Sequence, residues 1–144
     1  MSPTDLIAVS AIVVGFSITA IMFRIQRELY VLETLNIGAL WLAWADYLIV
    51  ASVILAVFGG TVPLLLWPTP SNFLTALAAA SCAGALVLQA GYIPSILAHY
   101  RIQLGAGRKG PRAKGEPIER LFVIGSSLIA SFVFAATFLL HLAR

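Results

Sequence analysis

The chain is poor in charge. Of its 144 residues only 10% are Asp, Glu, Lys or Arg, and six are acidic. Soluble domains carry about 25% charged residues, so a globule with a charged, water-facing surface is excluded. The single cysteine, Cys82, excludes a disulfide framework and a dithiol redox pair. No long stretch alternates apolar and polar residues with a period of two, which excludes the strands of a membrane barrel. The remaining polar residues assemble neither a nucleophile–base pair nor a metal-ligand set, so we expect a non-enzyme with no metal and no cofactor.

What the chain has is apolar length. Hydrophobic residues make up 60% of it, and mean hydropathy is +0.98. A membrane-spanning helix needs roughly 20 mostly apolar residues, and four windows qualify: Leu6–Phe23, Ile37–Phe58, Phe73–Leu97 and Ile118–Leu142. Lipid supplies no hydrogen-bond partners, so continuous apolar runs cross it as helices. The predicted fold class is all-α: a polytopic membrane protein, an antiparallel bundle of four transmembrane helices forming a single domain over 1–144. The first run is read as a retained span and not a secretory signal, because Met1–Asp5 holds no Lys or Arg and no A-x-A site follows.

Basic residues set the expected orientation, since Lys and Arg in short loops stay cytoplasmic. Arg24 and Arg27 lie between the first two windows, and Arg101, Arg108, Lys109, Arg112, Lys114 and Arg120 between the last two. Only Arg144 falls on the other side. Both connections are then cytoplasmic, both termini lie outside the cytoplasm, and the expected location is the cell inner membrane. His99 and His141 fall near opposite faces and cannot share a metal or haem.

The connections differ in character. Arg24 to Thr34 reads as an extension of the first helix lying along the cytoplasmic surface, with Ile25, Leu29 and Leu32 on one face and Arg24–Glu28 spaced for mutual support. The external link Gly59–Asn72 holds Gly59, Gly60, Pro63, Pro68 and Pro70. It is predicted to break the second helix, leaving Leu64–Trp67 as an interfacial cap, with Ser71 or Thr69 capping the third helix. The third link, within 101–116, contains GAGRKGPRAKG, a flexible cationic loop, and Glu116 with Pro117 then opens the fourth helix. Gly105, Gly107 and Gly110 spell G-x-G-x-x-G, but a dinucleotide fingerprint requires a preceding strand, and a helix precedes it. Arg108, Lys109, Arg112 and Lys114 set topology and are the candidate contact to anionic lipid headgroups or an acidic partner protein. No aromatic residue is interleaved to stack bases, so nucleic acid is not an expected partner.

Asp46 is the most informative residue, an acid inside an otherwise uncharged run. Counted from Ile37, nine residues at about 1.5 Å each put it roughly 13 Å inward, close to the bilayer middle. At that depth Thr19 or Gly15, Gln89 or Tyr92, and Ser126 or Ser127 form a candidate polar belt around it. Burying an ionised Asp at a helix centre costs about 2.5–3.5 kcal/mol, so such residues face the interior and mark a pathway or a pairing. If the helix begins near Trp41 instead, Asp46 lies about one turn below the surface, within reach of water or Arg24. Both placements stay open at this stage.

Helices associate in lipid through small residues. Ala11, Gly15 and Thr19 in the first helix, Ala76, Ala80 and Gly84 in the third, and Ser127, Ser131 and Ala135 in the fourth are the candidate packing faces. The third helix is small around nearly its whole circumference, more than one seam within the chain needs, so we expect a second contact with another copy or a partner membrane protein. Pro94, with Gln89 nearby, suggests a kink.

Three functional classes follow. The favoured one is a non-catalytic, self-associating or hetero-complex membrane subunit or effector. The second is a homo-oligomeric proton or cation conduit lined by Asp46. The third is a membrane enzyme acting on a lipid or thiol conjugate. Arg27, Glu28, Glu33 and Asn36 echo the composition at the second helix of membrane glutathione-transferring enzymes, but not their ordered motif, so no residue or activity is carried over.

Overall fold

Backbone polar groups crossing lipid must be paired within their own segment, and the chain meets this demand with helix. The computed structural model describes residues 2–35, 43–67, 69–106 and 117–143, with no strand among them. In chain order these residues form α1 (Pro3–Leu35), α2 (Trp44–Ile54), a π-helical segment (Leu55–Thr61), α3 (Val62–Leu66), α4 (Asn72–Ala106) and α5 (Pro117–Leu142). Four stretches are long and apolar enough to cross a membrane: Pro3–Tyr30, Trp44–Leu66, Asn72–His99 and Pro117–Leu142. The protein is an all-helical, multi-pass membrane chain. The cationic loop that holds Arg108, Lys109, Arg112 and Lys114 lies outside the described residues.

Local signals place the helix starts. At α1, Ser2 and Asp5 cap each other: the Ser2 N–H donates to Asp5 Oδ2 at 2.9 Å and the Asp5 N–H to Ser2 Oγ at 3.2 Å. Ser71, not Thr69, caps α4, accepting the Leu74 N–H at 3.3 Å. Pro117 opens α5.

The second span differs from the expected Ile37–Phe58. Its helix begins at Trp44, after an extended Ala43 with φ −68° and ψ 147°, and Gly59 and Gly60 do not end it. They sit in the π segment, and the helix runs on to Leu66, so Leu64–Trp67 is not a separate cap and Leu64 is buried. The glycines serve close packing. A Cβ added at Gly59 would lie 2.2 Å from Ser81 Oγ, and one at Gly60 would lie 2.6 Å from Ser10 Oγ. Pro63 falls at the start of α3, just past the widened turn, where its missing donor disturbs little regular helix.

The two longest helices run past their apolar windows. α1 is unbroken through Arg24–Thr34, so the extension continues the helix. Its 33 residues reach about 50 Å at about 1.5 Å per residue, well beyond a hydrocarbon core of about 30 Å. α4 likewise runs uninterrupted through Pro94 and on to Ala106, past the expected loop start at Gly105, and Ser95 Oγ donates to the Gly91 carbonyl at 2.7 Å.

The spans pack as a central pair with two flanks. α4 lies against every other span, as does the second span, while α1 and α5 sit on either side without substantial contact with each other among the described residues. Three apolar clusters fill the interior, around Leu6, Leu64 and Cys82; around Val13, Ala56 and Ala85; and around Leu48, Leu88 and Val123. Ala76, Ala80 and Gly84 are buried, as expected of packing residues. The small circumference of α4 is used up within the chain, because α1, the second span and α5 all press on it. The first-helix expectation is corrected: Ala11 and Gly15 face outward, and a Cβ at Gly15 would meet nothing within 4 Å. α1 packs through Leu6, Ser10, Val13, Ser17, Arg24 and Glu28 instead.

Candidate functional site

The late start of α2 decides where Asp46 sits. It is the third residue of the helix, and its Oδ2 accepts the Ala43 N–H at 3.0 Å while its own N–H donates to the Ala43 carbonyl at 3.0 Å. An acid in the first turn also meets the positive end of the helix dipole. Trp44 and Trp67 bracket the span about 34 Å apart at helical rise, the spacing of two interfacial aromatic belts. The Arg120 guanidinium lies 4.6 Å from the centre of the Trp44 ring. Asp46 therefore belongs to one end of the bundle and not to its middle. This is the end at which residues 36–42 and 107–116 join the spans, called here the paired-loop end.

Every span contributes a charged or titratable side chain to that end. From α1, Arg24 pairs with Glu28 one turn on and places its Nε 3.6 Å from Asp46 Oδ2. The Arg27 guanidinium approaches Glu28 at 3.4 Å from the rim. From α4, His99 places Nε2 3.5 Å from Arg24 Nη2 and Nδ1 3.0 Å from Glu119 Oε2 on α5. The other Glu119 oxygen accepts the Ala45 N–H of α2 at 2.9 Å. Glu119 and His99 are 0% and 1% exposed.

This chemistry is dense for a low-dielectric site. Three carboxylates, a guanidinium and an imidazole satisfy one another, and removing one partner of a buried ion pair typically costs about 3–5 kcal/mol. A guanidinium only donates, so a neutral ring with its proton on Nδ1 would accept from Arg24 through Nε2 and donate to Glu119.

The expected belt around Asp46 does not form. Gln89 instead donates from Nε2 to the Val13 carbonyl and to Ser17 Oγ, both at 2.8 Å, and Ser17 Oγ lies 3.2 Å from Ser52 Oγ. Thr19 is exposed and donates to the Gly15 carbonyl of its own helix. Ser127 donates to Val123 in the same way. Ser126 fills the space over Gly91, where an added Cβ would lie 2.2 Å from its Oγ, and Tyr92 packs on the cluster around Leu48 and Leu88. The belt was drawn at the wrong height because it was counted from Ile37.

Arg24, Glu28, His99 and Glu119 were not among the expected site residues. The signal for Arg24 lay in α1, where Ser10, Ser17 and Arg24 recur every seven residues and so share one buried face. His99 and Glu119 carried no such signal, because each lies near the end of an apolar span, where polar residues are ordinary. Among the described residues no group of three or more His, Cys, Asp and Glu is arranged to hold a metal ion. Comparison with protein-family models, curated proteins and solved structures gives no match for this chain.

Proposed function

We propose that the protein is a non-catalytic membrane subunit or effector that holds its cytoplasmic helix ends and basic loop in register for a partner membrane protein. The observation that carries this reading is the closed interior. Polar side chains form three levels: Ser10 with Cys82, then Ser17 with Ser52 and Gln89, then the charged cluster. Val13, Ala56 and Ala85, each 0% exposed, fill the space between the first two levels. A path for ions through one chain would have to displace that apolar layer. Asp46 is itself engaged by Arg24 and by a backbone N–H, which suits an anchor better than a carrier of permeant charge.

The positive-inside rule puts the paired-loop end in the cytoplasm. There α1 and α4 extend beyond the cluster, and Arg108, Lys109, Arg112 and Lys114 follow α4 in the chain. Those residues favour an acidic partner face or anionic headgroups, each basic residue contributing about 1 kcal/mol near an anionic surface. Replacing all four by Gln should shift the native-membrane complex to the mobility of the free chain while insertion is unchanged. Reconstituted wild-type protein should carry no more proton or cation flux than empty vesicles. Flux that Asp46→Asn abolishes would overturn the proposal in favour of a conduit.

A further inference from the structure

We infer that Arg120 and Trp44 form a binding site for the phosphate of an anionic phospholipid, on the outer seam between α2 and α5 at the paired-loop end. This goes beyond the subunit reading and does not rest on it, since the occupant is lipid and the residues lie outside the basic loop. Arg120 is exposed, and its guanidinium lies over the Trp44 ring, 4.6 Å from the centre. A guanidinium resting on a ring keeps its N–H groups at its edge, and among the described residues none of them meets a hydrogen-bond acceptor. Glu119, the acid next to it in the chain, is turned inward, where it bonds His99 and the Ala45 N–H.

The surroundings fit a lipid headgroup at its own depth. Trp44 marks the interfacial level, and the planar fork of an arginine matches two oxygens of a phosphate at once. Tyr47, three residues on in α2, is exposed and sets its ring 6.0 Å from that of Trp44. A helical side chain leans toward the N-terminus of its helix, here toward the headgroups, so the Tyr47 phenol stands at the same level as a further donor. Deeper in the bilayer, Ile124 follows one turn after Arg120 on α5 and Ile54 two turns after Tyr47 on α2, both exposed. They supply the apolar flank along which acyl chains lie. A free phosphate ion would gain nothing from that flank, so the occupant is a lipid.

The test uses the full chain in phosphatidylcholine vesicles holding a minor share of phosphatidylglycerol, with bromine high on the acyl chains of one lipid or the other to quench any tryptophan it touches. Trp41 and Trp67 are replaced by Phe, so that Trp44 reports alone. With Arg120 in place, quenching should show the anionic lipid enriched beside Trp44 about fivefold over its share of the bilayer, the equivalent of about 1 kcal/mol for one basic residue near the surface. Arg120→Gln should bring quenching down to the bulk share, and Arg120→Lys, which keeps the charge but not the planar fork, should lose most of the enrichment. Replacing Arg108, Lys109, Arg112 and Lys114 by Gln should leave it intact, and a chain whose one tryptophan is Trp67 should show none. The site is overturned if Trp44 beside Arg120 meets the anionic lipid no more often than its bulk share, a comparison that needs no substitution at Arg120. It is equally overturned if Arg120→Lys matches Arg120, if the loop variant abolishes the enrichment, or if Trp67 shows the same enrichment.

Discussion

The two halves of the bundle interior are joined by different chemistry. At the paired-loop end, Arg24, Glu28, Asp46, His99 and Glu119 tie the four spans through charged and imidazole groups. From the middle to the other end the ties are hydroxyls, one amide and one thiol, set among alanines and glycines: Ser17 with Ser52 and Gln89, and Ser10 with Cys82. A hydroxyl can lose its partner and still bond the carbonyl one turn back, as Ser52 does with Ile49 at 2.8 Å. A buried charge has no such fallback. Stability in the middle thus rests on close packing, and at the paired-loop end on completeness of the network.

The largest effect should come from breaking that network. Arg24→Met leaves Glu28 and Asp46 without their shared buried cation, and we expect a loss of about 3–5 kcal/mol in reversible unfolding from mixed micelles. Adding Asp46→Asn should recover part of it. A loss below about 1 kcal/mol would place the cluster with exposed surface pairs. Next comes overpacking in the other half: Gly59→Ala drives a methyl group into Ser81 and should cost about 1–3 kcal/mol, with Ser81→Gly restoring most of it. A neutral Gly59→Ala would mean that the π segment shifts freely.

Gln89→Leu should cost less, about 0.6–1.7 kcal/mol, the range for hydrogen bonds between membrane helices. The smallest effect is expected at Ser17→Ala, at or below about 0.6 kcal/mol, since Ser52 keeps its own-helix bond. If Gln89→Leu proved as costly as Arg24→Met, the contrast between the two halves would collapse.

Much of the frame was legible in residue order. The end of the fourth span at Leu142 and the small residues of α4 at Ala76, Ala80 and Gly84 followed from hydropathy and side-chain size. Asp46 was recognised as unusual, and its pairing with Arg24 followed only if its helix began late. The apolar window from Ile37 did not reveal that start, because Ala43 and its neighbours are as apolar as the helix itself. Gly59, Gly60 and Pro63 read as a break because their local preference is against helix, yet close contact with Ser81 and Ser10 rewards the two glycines for having no side chain.

Composition and periodicity by themselves determined that the chain would be helical and multi-pass, because apolar runs of this length in lipid leave the backbone no other way to bond. Tertiary structure alone decided which polar residues meet. Arg24, Asp46, His99 and Glu119 come from four different spans, and their encounter depends on where each helix starts and how it is rotated. Those quantities are set by caps, glycine contacts and interlocking side chains, each a matter of one residue's geometry, and hydropathy averages them away.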